Sequence, residues 1–551
     1  MDINQKIRLI ALKNAYKYEG KANKGSVVGG LLGDNPELKK DMATISKQID
    51  EILDEVNNMP LKAQEQLIMR FEPEFFEEEK EDKSLFSSYD VEGDVISAFP
   101  PGPEKHPHIG HGKAILINYL LAKEHDGKFI LRFEDTNPEK VKQEYYEGMI
   151  EDFSWLGISW DSVSYASDHM DLFYEKAQEG IKKGLFYMCN TPAEQISRMR
   201  KKGIENPCSL RSTLENLRLW KAYVKGDHTT FTLRANIGMN HENSAMRDPV
   251  MFRRVESKHP RHDDKYVVWP TYDFQNSVMD GFEGVTHRFR SKEFEMRSEL
   301  HRFLQRELSF DETTIFEFAR FNVEGVESSG RVIREKIESG EYSGWDDPRL
   351  TTLKALRRRG FQAEAIKEFL VKTGLSKSES TVTWDDLYVQ NRKVLDSKAN
   401  RYFLIENPVE VELKGFKDGF VELSKHPSKE KGVRKLELGS KILVNKKDFD
   451  NLEKNKLYRL MGACNVTFDG KGLVYHCNNL DLYKKDGAGA LHYLPSDENK
   501  KATLVMPNEE KTVVVENNVL DEDVSNVVMF ERFGFARLDN KENLTFYFSH
   551  K

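Results

Sequence analysis

Hydrophobic positions change their period along the chain, and the changes divide it. Over the first 70 residues they recur at helical spacing: Ile7, Leu9, Ile10, Leu12 and Ala15, then Ile45, Ile49, Ile52, Leu53 and Val56. Asp34-Asn35-Pro36-Glu37 reads as a helix start, with the proline set for the first turn. Residues 71–89 are acidic and irregular and predict a linker. Residues 94–99, 113–122 and 127–134 then read strand, helix, strand, a spacing that predicts a parallel unit with ligands at the carboxyl ends of its strands. Residues 190–265 break the alternation: 197–202 and 214–223 predict helices, 229–233 and 249–254 strands, together an inserted subdomain. A strand over 264–269 and a helix after Pro270 resume it, and 331–395 reads as helical and basic. Beyond 396 the period falls to two in short runs (409–413, 420–423, 441–444, 458–460, 464–468, 511–515, 535–538, 545–548), separated by turn signals such as Lys417-Asp-Gly and Phe468-Asp-Gly. That is an all-β region, expected as barrels.

Composition narrows the class. The chain has 551 residues, 38% hydrophobic and 32% charged, which suits several polar, folded domains. Cys189, Cys208, Cys464 and Cys477 are too few for a disulfide framework and contain no Cys-x-x-Cys pair, so a reducing compartment and no zinc or other metal site are expected. The first twenty residues lack an apolar leader, and no run approaches the roughly 18 apolar residues of a membrane span; a cytoplasmic protein with no membrane contact follows as the expectation. The net charge of −8 argues mildly against nucleic acid as a partner, although a local basic face is what meets phosphate, and residues 354–359 form one.

The most chemical stretch is Phe99-Pro100-Pro101 followed, after a short turn, by His108-Ile109-Gly110-His111. A Pro-rich turn between strand and helix places two imidazoles on one face at a helix start, where unpaired N–H groups and the dipole favour an anion. Gly110 lets a flat ligand approach the backbone. The chemistry suggested is activation by ATP, with the imidazoles stabilising charge on a phosphate in flight. A surface histidine pair or a metal fragment is the plainer alternative.

Read together, several motifs extend this. Ala15-Tyr-Lys-Tyr-Glu-Gly-Lys-Ala-Asn23, the His108–His111 motif, Leu131-Arg-Phe-Glu-Asp-Thr-Asn-Pro138, Ala245-Met-Arg-Asp-Pro249, Lys265-Tyr-Val-Val-Trp-Pro-Thr-Tyr-Asp-Phe274, Gly284-Val-Thr-His287, Gly340-Glu-Tyr-Ser-Gly-Trp-Asp-Asp-Pro-Arg-Leu350 and Leu356-Arg-Arg-Arg-Gly360 occur in this order. The series resembles the class I aminoacyl-tRNA synthetases of the glutamyl/glutaminyl group, in their archaeal glutamyl form. The resemblance implies a helical domain with acidic linker (1–90), a Rossmann-type catalytic domain (91–190 and 264–325), an inserted acceptor-end subdomain (191–263), a mobile loop with a helical stem-contact domain (326–395) and an anticodon-binding β-barrel domain (396–551). It implies glutamate–tRNA ligase activity: L-glutamate and ATP, with Mg2+ accompanying the nucleotide, give glutamyl-adenylate, and the 3′ end of tRNA(Glu) takes the glutamyl group. Whether tRNA(Gln) is also charged stays open, and a monomer is expected.

The resemblance also implies roles. Phe99, Pro100, Pro101, Ile109, Gly110, Ser329 and Arg331 would bind ATP with His108 and His111, of which the two histidines and Arg331 are catalytic. Glu134, Tyr272, Asn276 and Arg290 would bind glutamate; a carboxylate at a strand end suits an ammonium, and an arginine can grip a carboxylate in two places. Arg198, Lys201, Lys202, Arg211, Arg357, Arg358 and Arg359 are candidates for tRNA phosphates. Three departures stand out. Ala98 lies where the family usually has an arginine that contacts glutamate, Gly102 stands where Ser or Glu is usual, and the mobile loop over 328–332 holds no lysine where the family's second loop lysine falls, which leaves Arg331 to stand in. An active ligase, a catalytically impaired relative that binds tRNA, and a glutaminyl-tRNA synthetase are the readings left open.

Overall fold

The computed structural model describes all residues except 1–2, 18–19, 35–37, 39–41, 73–74, 76–83, 228, 328 and 418. Much of the helix start at 34–37, part of the acidic linker, and Ser328 of the loop therefore lie outside the described residues. The chain divides into two compact units, Met1–Asp90 and Val91–Lys551.

The first unit is helical: Ile3–Lys17, Lys24–Asp34, Met42–Asn57 and Leu61–Phe71. Ile7, Ala11, Ala15, Val27, Leu31, Ile49, Val56 and Ile68 are fully buried, as the helical spacing of the apolar positions requires. Gln64 is the one buried polar side chain described there, and it closes two chain ends by donating to Val56 O at 2.8 Å and Gly20 O at 3.0 Å.

In the second unit, Ile96–Phe99, Lys128–Phe133 and Ser162–Tyr165 form a parallel sheet, each joined to the next by a helix, Ile109–Glu124 and Gln143–Trp155. His287–Ser291 lies beside the first strand and pairs in parallel with Thr314–Phe318. The two sheets are stitched by Thr286, whose N–H donates to Ile96 O at 2.9 Å, and by buried Asn118, which accepts from Phe289 N at 2.8 Å and donates to Phe289 O at 2.9 Å. A side-chain amide thus completes a peptide ladder inside the core.

The interruption in the alternation is a four-stranded antiparallel sheet, Phe186–Cys189, Thr232–Ala235, Val250–Arg254 and Val268–Pro270, with the helices Ala193–Lys202 and Thr213–Val224. The strand expected over 264–269 is only Val268–Pro270, because His259–Asp263 makes a tight turn just before it.

The C-terminal region holds two seven-stranded sheets. Their margins are instructive. Asn400–Tyr402 and Leu404–Ile405 pair at opposite margins of one sheet, separated only by Phe403. Gly487–Leu491 and Tyr493–Pro495 do the same in the other, separated by His492. One bent strand therefore serves both margins of each sheet, and the ladder is interrupted at the bend instead of running round as a closed ring. The rings of Phe403 and His492 stack at 4.5 Å, beside the buried Arg434–Glu516 pair at 2.9 Å.

Candidate active site

The histidine end of the candidate site is built by backbone geometry. His108 caps the helix Ile109–Glu124: its Nδ1 accepts from Gly110 N at 3.0 Å, and His111 Nδ1 accepts from His108 N at 3.2 Å. The two rings lie 4.1 Å apart. Burial pushes His108 down to about 3 and His111 well below its ordinary range, so both imidazoles are neutral. With Nδ1 committed as acceptor, each carries its proton on Nε2, and these N–H groups are what the pair can offer a phosphate oxygen. Gly110 is required for a nearer reason than ligand approach: a Cβ there would sit 2.8 Å from the His108 ring.

The segment carrying the Trp345 motif clasps this turn. Ile109 N donates to Thr351 O and Leu353 N to Pro107 O, both at 2.9 Å, while Thr352 caps the helix Leu353–Arg358 and donates to Trp345 O. The cleft left between Lys105, His106, His108, Glu327, Trp345 and Thr352 is only about 10 Å³, the room of one water. A wider cavity, about 360 Å³, lies on the insert between Ser197, Arg200, Lys201, Ser244 and Arg247.

Phe99 and Pro101 are buried and Pro100 half-buried at the end of the first strand. Glu134 follows the second strand, its N–H bonded to Pro101 O at 2.9 Å, so the two strand ends meet as their parallel pairing requires. Tyr272 and Asn276 lie one turn apart on the helix Tyr272–Phe282. Asn276 donates to Glu134 Oε1 and accepts from Arg288 Nη1 at 2.9 Å. Tyr272 packs against Phe294, the rings tilted with centroids 5.2 Å apart. Arg290 is 5% exposed, donates to Phe294 O at 3.2 Å and Ser298 Oγ at 2.5 Å, leaves Nε without a partner and forms no ion pair among the described residues.

Sequence reasoning missed the support beneath these groups. Asp280 is fully buried and receives Arg132 Nη2 and Arg288 Nη1 at 2.6 Å each, with His301 Nε2 at 3.2 Å. Arg132 also meets Glu283 at 2.7 Å and lies 3.8 Å from Glu134. Burial drives Glu134 up to about 7 against the pull of Arg132 and Arg288. Strand alternation was the available signal: Arg288 and Arg290 share a face of His287–Ser291 at a spacing of two. Ala98, by contrast, is fully buried against Ile130 and Val285 and offers no charge.

The remaining expected residues scatter. Ser329 is exposed and sits just before the helix Gly330–Glu338 without a side-chain capping bond; Arg331 points to solvent, 81% exposed, 3.6 Å from Glu335 one turn on. Arg198, Lys201 and Lys202 are exposed on Ala193–Lys202, whereas Arg211 is tied to Met188 O and, at 2.8 Å, to Asn190 Oδ1. Arg357 pairs with Glu151 at 2.6 Å, and Arg358 bridges Asp346 and Asp539 at 3.0 and 3.1 Å. Arg359 corrects the expectation outright. It is 1% exposed, donates to Ser549 O at 2.6 Å and lies over the Trp384 ring, so it joins the helical region to the last strand and cannot reach a phosphate.

Comparison with known proteins gives concordant matches. Residues 94–397 match the family described as tRNA synthetases class I (E and Q), catalytic domain, and residues 399–478 match its anti-codon binding domain. Glutamate–tRNA ligases of Methanothermobacter marburgensis and Pyrococcus furiosus are each 35% identical, over 546 and 565 residues, covering 98% of both chains. That of Pyrococcus abyssi is 36% identical over 565 residues with the same coverage.

Proposed function

Because this chain belongs to the class I (E and Q) tRNA synthetases, we propose that it activates L-glutamate with ATP and transfers it to the 3′ end of tRNA(Glu), in translation. The observation that carries the choice of amino acid is Arg290: a buried guanidinium with a free Nε and no ion pair among the described residues, beside Tyr272 and on the same strand face as Arg288. A site with a spare buried cation calls for a carboxylate from outside, which glutamate brings and the glutamine amide does not. Glu134, at the strand end, receives the ammonium. The neutral Nε2–H groups of His108 and His111 meet the phosphates, and magnesium arrives with the nucleotide: no cluster of three acidic, His or Cys side chains among the described residues is placed to hold a metal ion.

The exposed cations Arg198, Lys201 and Lys202, with the basic cavity beside them, serve the acceptor end, and the two C-terminal sheets serve the anticodon. A cytoplasmic monomer fits these roles; no described helix is long and apolar enough to cross a membrane.

The test is ATP-dependent charging of tRNA(Glu) and tRNA(Gln) with labelled glutamate and, separately, glutamine. Charging of tRNA(Glu) with glutamate is expected, and Arg290→Gln is expected to lower kcat/KM for glutamate by roughly 100-fold or more, the cost of an unpaired buried carboxylate. Preferential use of glutamine would overturn the choice of amino acid. Folded protein that binds tRNA but charges neither amino acid would make the chain a non-catalytic relative.

A further inference from the structure

The loop over 328–332 lacks the lysine its family resemblance leads one to expect, and the cations that act on the histidines, Lys105 and Arg320, come from elsewhere. Lys105, in the Pro-rich turn, lines the same narrow cleft as His108. Its ammonium is close enough to hold down the protonation of both His108 and His111. Its stem packs over Gly330: a Cβ built on Gly330 would lie 2.6 Å from Lys105 Cδ. Gly330 has no left-handed φ, and a side chain there would require the flexible stem of Lys105 to shift.

Lys105 makes no ion pair among the described residues: Arg334 is turned to Glu104 O at 3.2 Å, and Arg320 is paired with Glu293. Half-buried, Lys105 is held below its ordinary range by burial first and Arg320 second, against the opposing pull of Glu104 and Glu293.

We propose that Lys105 is a catalytic residue that meets the β- and γ-phosphates of ATP beside His108 and His111, supplying from the Pro-rich turn the cation that the loop at Gly330 lacks. The assignment rests on the ligase reading above. A carboxylate oxygen of glutamate attacks the α-phosphorus; the bond from that phosphorus to the bridging oxygen breaks, and pyrophosphate leaves with the electron pair. Lys105 neutralises the charge that grows on the leaving group.

The experiment is ATP–pyrophosphate exchange by the full chain with glutamate and tRNA(Glu), with thermal melting of each variant. Lys105→Met is expected to lower kcat by roughly 100-fold, the usual loss for one preorganised charge donor, with KM for glutamate held within about threefold. Lys105→Arg should keep most activity. The decisive variant is the exchange of places: Gly330→Lys added to Lys105→Gly should regain at least roughly tenfold over Lys105→Gly alone, a recovery that a structural role would not give. Lys105→Met with near wild-type kcat, or a double variant no better than Lys105→Gly, overturns the assignment and leaves the ligase reading standing. Wild-type protein that shows no exchange with glutamate or glutamine overturns both.

Discussion

At the scale of single residues the site is a problem of buried charge. Glu134 would be an ordinary carboxylate in water; burial raises it to about 7, although Arg132 and Arg288 oppose the shift. The sign has a consequence for binding. In the free protein Glu134 is mostly protonated below pH 7 and mostly ionised above it, and only the ionised form pairs with an ammonium. Glutamate affinity is therefore expected to rise about tenfold between pH 6 and pH 8 and to level off above, with a proton released on binding below pH 7. Calorimetry in buffers of different ionisation enthalpy measures both; a flat profile would mean that Glu134 is ionised throughout. For stability the same shift runs the other way: the raised pKa makes Glu134 a growing burden as pH climbs from its unfolded value of 4.5 through 7. The buried Asp280 is held well below its ordinary range by Arg288 and Arg132, which outweigh its own burial. It anchors both cations and leaves the pocket's free charge on Arg290.

At the scale of elements, the Pro-rich turn and the helix after it are one device. The Nδ1 of His108 serves the fold as the helix cap, and the proposed phosphate contact is left to its Nε2. Gly110→Ala tests the coupling. The new methyl group would lie 2.8 Å from the His108 ring and must expel it from the cap. A loss of about 1 kcal/mol in stability is expected from the cap. A drop on the order of 100-fold in exchange rate is expected from imidazoles displaced by about 1 Å. Urea denaturation and ATP–pyrophosphate exchange check the two separately; a stable, active variant would show that the cap does not position the ring. The helical and strand periods in the sequence mark most of these elements, yet they say nothing of the clasp from Thr351 and Leu353, since that pairing joins segments 242 to 246 residues apart.

At the scale of the whole molecule, two units with separate cores share one chain. Among the described residues the helical unit's core draws on residues 3–75, and the candidate site residues belong to the second unit. A chain of residues 91–551 is accordingly expected to fold and to keep its exchange rate within about twofold, since the core that positions the site is left whole. Expression of that piece and its melting curve decide the point; an aggregated product would place the first unit within the folding of the second. In the C-terminal region, Phe403 and His492, the bends at which each sheet's margins meet, stack on one another, and Phe403 N also donates to Glu516 at 3.1 Å. The two sheets are thereby joined at their weakest ladders.

The sequence by itself determined the local devices: the apolar periods, the His108–His111 turn at a helix start, the strand ends that carry Glu134, and the helical turn between Tyr272 and Asn276. These rest on spacings of two to four residues, which chain geometry converts directly into faces and turns. Only the tertiary structure decided which charges are left over. Arg359 reads as a surface cation beside Arg357 and Arg358, but the last strand covers it; Arg288 reads as one arginine among many, but Asp280 and Asn276 fix it beneath the pocket. Lys105 lies in the turn before His108, and the fold sets it in the cleft beside that histidine with its stem packed over Gly330. Burial and pairing depend on neighbours hundreds of residues away, and the free energy of a charge is set by those neighbours, not by its place in the chain.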